Sequence, residues 1–179
     1  TIKKAALSVT AEAKRKTYGE DDPALTYTTT GLFGSDKLTG ALTRASGDNV
    51  GEYAIQQGTL AASENYTLTY VGAKLTINKK ALTVTAEAKS KTYGDADPAL
   101  TYTANGLVGS DKLTGALARA AGNDVGTYAI QQGTLAASGN YALTYVGANL
   151  TINKRALTVT AEAKSKTYGD ADPALTYTA

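Results

Sequence analysis

The sequence predicts a mainly β chain, a tandem array of small two-layer, sandwich-like modules in an elongated arrangement. Three observations carry that prediction. First, the chain repeats itself every 75 residues: Leu7, Leu82 and Leu157 are one period apart, as are Tyr18, Tyr93 and Tyr168, and Pro23, Pro98 and Pro173. Second, short segments within each period alternate apolar and polar residues, the pattern of half-buried strands. Third, Gly, Asn, Asp and Pro punctuate these segments roughly every 8–12 residues, as in small all-β domains.

Residues 5–79 align with 80–154 without a gap, and 59 of the 75 positions are identical. Residues 155–179 match 80–104 at 24 of 25 positions. The expected organisation is therefore one β-rich module over 5–79, a second over 80–154, and a partial third over 155–179 holding its first two strands. Periodicity alone does not set the structural phase of these boundaries. The partial repeat is expected to gain order only by packing on its neighbour or on another chain.

The second copy illustrates each element in order. Leu82, Val84 and Ala86 alternate with Thr83, Thr85 and Glu87, which predicts a strand that runs on to Tyr93. Gly94-Asp95-Ala96-Asp97-Pro98 ends it with turn chemistry. Leu100–Thr103 is a second short strand, closed by Asn105-Gly106. Ser110 is placed to cap one short helical turn near residues 110–115, with its counterpart near 35–40. The Ala-rich stretch Leu113–Ala121 fits helix or strand. Val125–Gln131 predicts a strand around Tyr128 and Ile130, and Tyr141, Leu143 and Tyr145 predict another. Leu150-Thr151-Ile152 closes the module. The tyrosines at 93, 102, 128, 141 and 145 are expected to supply much of the buried area of a small core.

The junction carries its own signal. Leu150 and Ile152 have even parity, whereas Leu157 and Val159 have odd parity. One continuous strand would place these pairs on opposite faces. Either a bulge lies between them or the strand passes into the next module and buries its other face there. The linker is short and lacks Gly and Pro, which predicts a stiff joint. Each copy is expected to add roughly 30–40 Å of length, at ~3.3 Å per strand residue.

Composition removes whole classes of chemistry. The chain has no His and no Cys. The usual zinc sites, Cys–His and Ser–His–Asp arrangements and disulfide staples are therefore outside its reach. The net charge of +2 gives no basic stripe for nucleic acid. No apolar run approaches the ~20 residues that cross a bilayer as a helix, so membrane insertion is not expected.

Several segments together are similar to a known family. These are Ala81–Thr103, Gly106–Leu117, Val125–Ile130 and Asn140–Ile152, with their Tyr-Gly-Asp-x-Asp-Pro and Gly-x-Tyr-x-Ile motifs. They resemble the bacterial MBG repeat, a glycine-containing, mostly β module. The resemblance implies large secreted, repetitive surface proteins, often adhesins or filamentous-haemagglutinin-like exoproteins. It implies a secreted or cell-surface location and no catalytic residues. The first copy departs from the motif with Glu20 where the others carry Asp.

Individual motifs favour plain readings. The acidic turn Asp95/Asp97 offers hard oxygen ligands for calcium, but turn chemistry alone explains it. Tyr70 and Lys74 have the spacing of a dehydrogenase pair, but they lie in a strand pattern with no nucleotide-binding loop before them. Asp21/Asp22 reads as a polar turn rather than an acid–base pair. No catalytic, cofactor-binding or metal-ligating residue is nominated, and no enzyme is expected. The expected role is a structural stalk or spacer projecting a distal binding domain. The alternative is that each module weakly binds a host or bacterial surface glycan or protein and acts through avidity. The partners that follow are neighbouring modules, such surface ligands, and strand-swapped copies of the chain.

Overall fold

The structure, a computed structural model, describes residues 1–179. It contains strands and turns and no helix. The first repeat forms β1 (Ala5–Ala11), β2 (Lys14–Thr17), β3 (Tyr27–Thr30), β4 (Thr43–Arg44), β5 (Gly51–Gln56), β6 (Tyr66–Val71) and β7 (Ala73–Asn78). The second repeats this set as β8 (Lys80–Ala86), β9 (Lys89–Thr92), β10 (Tyr102–Asn105), β11 (Ala118–Arg119), β12 (Gly126–Gln131), β13 (Tyr141–Val146) and β14 (Ala148–Asn153). Each repeat makes a three-stranded and a four-stranded sheet, in the orders β3-β1-β6 and β4-β5-β7-β2 for the first copy. Every one of these sheets draws its strands from a single repeat.

Two long parallel ribbons form the spine of each repeat. β1 pairs with β6 in the first sheet, Leu7 opposite Leu68. β2 pairs with β7 in the second sheet, Lys14 opposite Leu75. Both ladders match residues 61 apart, so the register survives the crossing from one sheet to the other. The breaks at Glu12-Ala13 and at Gly72 let both ribbons change sheet together. The antiparallel β1–β3 and β5–β7 pairs complete the layers.

The alternation predicted from sequence is seen directly. Leu82, Val84 and Ala86 point inward from β8, while Thr83 and Thr85 are exposed. In the first repeat, Leu7, Val9 and Ala11 of one sheet meet Ile55 and Leu75 of the other, with Leu42, Leu60 and Tyr66 closing the edges. Only 17 of 179 residues are fully buried and all are apolar, so each core is thin for its chain length. The parity switch is also present. β7 buries Leu75 and Ile77, β8 buries Leu82 and Val84, and Lys79 alone separates the two strands. The chain runs from one repeat into the next and buries its opposite face there.

Two expectations need correction, on the helical turn and on the tyrosines. No helical turn forms near 110–115 or 35–40. Gly109 adopts φ +53°, a single turn closes from Asp111 N–H to Val108 C=O, and the chain then extends to a bridge between Thr114 and Ala136. Gly115, at φ +81°, prevents helical continuation. Leu113–Ala121 is thus irregular backbone ending in the two-residue strand β11. The tyrosines share the core unequally. Tyr141 is buried and Tyr128 and Tyr145 are half-buried, whereas Tyr93 and Tyr102 are exposed. The partial repeat docks on neither module as a folded unit. β15 (Thr160–Ala161) pairs only with β16 (Tyr177–Thr178), every residue from Asn153 to Ala179 is exposed, and the segment touches the second repeat through Arg155, which donates to the Tyr93 carbonyl and pairs with Asp95 at 3.3 Å.

Candidate functional site at the junction between repeats

The acidic turn folds back on itself. Asp22 Oδ1 accepts from Lys16 Nζ at 2.7 Å, and Asp22 Oδ2 accepts from Arg44 Nε at 2.5 Å. Arg44 also donates to Asp48 Oδ1 at 2.9 Å and to the carbonyls of Ala45 and Gly47, while its guanidinium lies 5.4 Å from the Tyr53 ring centre. Gly47 is required there because a Cβ at its φ of +135° would enter the Tyr53 ring. One arginine thereby ties the Tyr18–Pro23 turn to the Ala45–Val50 turn. The second copy rebuilds this clamp with Arg119, Asp97, Lys91 and Tyr128. The Arg119 and Lys91 cations hold the Asp97 carboxyl down at about 2, and Asp22 is lowered for the same reason.

With the turn pinned, Tyr18 and Gly19 project from the end of the first repeat onto the second. The Tyr18 hydroxyl donates to Asp111 Oδ2 at 3.0 Å, and the Tyr141 hydroxyl donates to the same oxygen at 2.5 Å. The Tyr18 ring meets the Tyr141 ring edge-on with centroids 5.5 Å apart, a favoured aromatic geometry. Tyr18 packs against the core cluster of Leu82, Val84, Leu135 and Tyr141, so a side chain of one repeat finishes the core of the next. Gly19, at φ +83°, leaves room for Val108, whose Cγ2 would lie 2.6 Å from a Cβ there. Asn140 Oδ1 accepts from the Val50 N–H and its amide donates to Asn49 Oδ1, both at 2.9 Å. The hydrogen bond to Asp111 raises the Tyr18 hydroxyl above its ordinary range, with burial adding to it; for Tyr141 burial is the larger cause and Asp111 the second.

The two copies act as an internal control, because nearly the same residues appear with and without a neighbour. Tyr18 is half-buried, but Tyr93 is 48% exposed. Val108 is half-buried, but Phe33 at the same position is 66% exposed. Within the first repeat the receiving geometry already exists: Tyr66 Oη donates to Asp36 at 2.6 Å and accepts from the Phe33 N–H at 3.1 Å.

The sequence matches the family model of the MBG domain, YGX type, over residues 7–76, 82–151 and 157–179. The chain belongs to the MBG domain family. MBG domains are a non-enzymatic family of β-rich repeat modules of surface proteins. No curated protein and no solved structure matches the chain. No helix of this MBG chain is long and apolar enough to cross a membrane.

The motif residues of these MBG repeats now have places. The signature tyrosine and glycine sit at the junction, and the last aspartate is held by two cations. A calcium ion at Asp97 would have to displace Lys91 and Arg119 from both carboxylate oxygens. Tyr70 and Lys74 do not meet: the Tyr70 hydroxyl donates to the Ile55 carbonyl at 2.9 Å, and Lys74 pairs with Glu52. Asp21 and Asp22 do not act together, since Asp22 faces the clamp and Asp21 is exposed. Sequence reasoning passed over Arg44, Asp111 and Asn140. The recurrence of an Arg and an Asp at fixed phase was visible for the first two, but their partners lie 22 and 93 residues away.

Proposed function

We propose that this chain is a spacer segment of a bacterial cell-surface protein, whose repeats hold a distal binding region away from the cell. The path of the polypeptide carries this reading. The chain enters each repeat along β1–β2 and leaves along β6–β7, which run parallel to it, and β7 passes into β8 through Lys79 alone. Added copies then extend the molecule in one direction, since strand follows strand across each joint. The Tyr18–Asp111–Tyr141 contact and the Asn49–Asn140 pair resist bending at that joint. A secreted, cell-surface location accords with this role.

Small-angle scattering on chains of one, two and four repeats tests the reading. The maximum dimension is expected to grow linearly, by about 30–40 Å per copy. Growth that levels off, as for beads on a loose string, contradicts a stiff spacer.

A further inference from the structure

We propose that Tyr18 and Tyr141 form an oxidative cross-linking site, at which peroxide and a haem peroxidase join one repeat to the next through a carbon–carbon bond between the two rings. The site lies wholly inside the joint between the two complete repeats. Both hydroxyls donate to one oxygen, Asp111 Oδ2, at 3.0 and 2.5 Å, and the ring centres are 5.5 Å apart. Hydroxyls that converge in this way draw together the ring carbons beside them, the positions at which phenoxyl radicals couple. The other aromatic rings of the chain make no such contact. Composition directs oxidation to tyrosine, because the chain has no Cys, Met, Trp or His to give up electrons first.

The two rings differ in access. Tyr18 is half-buried and lines a cavity of about 450 Å³ together with Lys16, Gly19, Arg44 and Val108, so an electron can leave from its edge. Tyr141 is buried and has no such exit. It reaches the oxidant through Tyr18: the radical formed there is refilled from Tyr141 across the edge-on contact, and Tyr18 is then oxidised again. A phenol that has lost an electron is strongly acidic, and Asp111, which holds both hydroxyls, receives each proton and passes it to solvent. The two radicals couple at the ring carbons next to oxygen, and each ring regains aromaticity by moving its displaced hydrogen to that oxygen. The pair thus loses two hydrogens in all. The peroxide takes up the two electrons and two protons, its O–O bond breaks, and two waters leave. Because both rings are held in one joint, coupling within the chain is favoured over coupling between chains. The product is a covalent staple across a joint that has no cysteine for a disulfide. Tyr93 repeats Tyr18, and Asp36 and Tyr66 repeat Asp111 and Tyr141, with the Tyr66 hydroxyl on Asp36 at 2.6 Å. The parts of the site are therefore a regular feature of this repeat.

The test treats the full chain, at low protein concentration, with hydrogen peroxide and a haem peroxidase first shown to couple free tyrosine. The expected product is a monomer lighter by two hydrogens, with dityrosine fluorescence and faster migration in denaturing gels. Proteolysis and mass spectrometry should find the peptide holding Tyr18 joined to the peptide holding Tyr141. Tyr18→Phe and Tyr141→Phe keep a ring in place and remove only its hydroxyl, and each should reduce this product at least severalfold. Tyr93→Phe removes a tyrosine outside the joint and should leave the yield unchanged. Four results overturn the proposal: no cross-linked monomer, a link between other tyrosines, a yield that Tyr18→Phe leaves unchanged, or equal yield from the chain unfolded in urea. None of these outcomes bears on the spacer reading, which the scattering series on untreated chains tests separately.

Discussion

At the scale of single residues, the repeat signature separates into parts with different tasks. The tyrosine reaches the next repeat, the glycine allows close approach, and the final aspartate is pinned by Arg44 and Lys16. Gly19→Val is therefore expected to open the junction, because a side chain there meets both Val108 and an unfavourable positive φ. Nitrogen-15 relaxation checks this: the two repeats tumble as one elongated body in the parent chain and as separate bodies in the variant. The pinned aspartate gives a pH prediction. The folded Asp97 carboxyl, at about 2, lies below the ordinary value near 3.9, so its ionised form stabilises the fold. That contribution is complete above about pH 4 and disappears as the pH falls to about 2. Asp97→Asn should flatten the loss of stability over that window, measured by urea titration at several pH values; an unchanged slope would remove the clamp from the account. The turn itself was readable from Gly, Asp and Pro, because turn chemistry is local. The clamp was not, since Arg44 is an ordinary surface residue until the fold brings it 2.5 Å from Asp22.

At the scale of elements, the ribbons β1–β2 and β6–β7 explain what the alternation could and could not reveal. Leu7, Val9, Leu75 and Ile77 announce themselves by period-two spacing, and all are buried. Their parallel pairing was hidden, because alternation identifies which face is buried and says nothing of the partner strand 61 residues away. The segment 110–121 misled for a related reason. Ser and Ala favour a capped helix locally, but Asp111 is drawn into the Tyr141 hydrogen bond and Gly115 approaches the Thr134 carbonyl, so tertiary contacts decide. Because the core is thin, each spine residue carries a large share of it. Leu75→Ala and Leu150→Ala, both at fully buried positions, should each destabilise by about 2–5 kcal/mol. Calorimetry of the two variants should lower the transition of the altered repeat more than that of its neighbour. Equal loss in both would mean that the repeats unfold as a single unit, with the Tyr18 contact coupling them strongly.

At the scale of the whole molecule, the direction of load matters most. Tension on a spacer pulls β1 toward the chain start and β7 toward its end. Because β1–β6 and β2–β7 are parallel neighbours, that tension shears their ladders, and many hydrogen bonds must yield together. An end-loaded antiparallel hairpin would instead open one pair at a time. Single-molecule stretching should therefore show two separate force peaks for this chain, one for each complete repeat, and no third peak, since β15 and β16 pair over only two residues. Each peak should release 75 residues of contour at about 3.6 Å each, less the ~40 Å the folded repeat already spans, or roughly 230 Å. Peaks at that spacing tie mechanical resistance to the parallel spine. A featureless low-force extension would show that the ladders unzip, and the repeats would then space without bearing load.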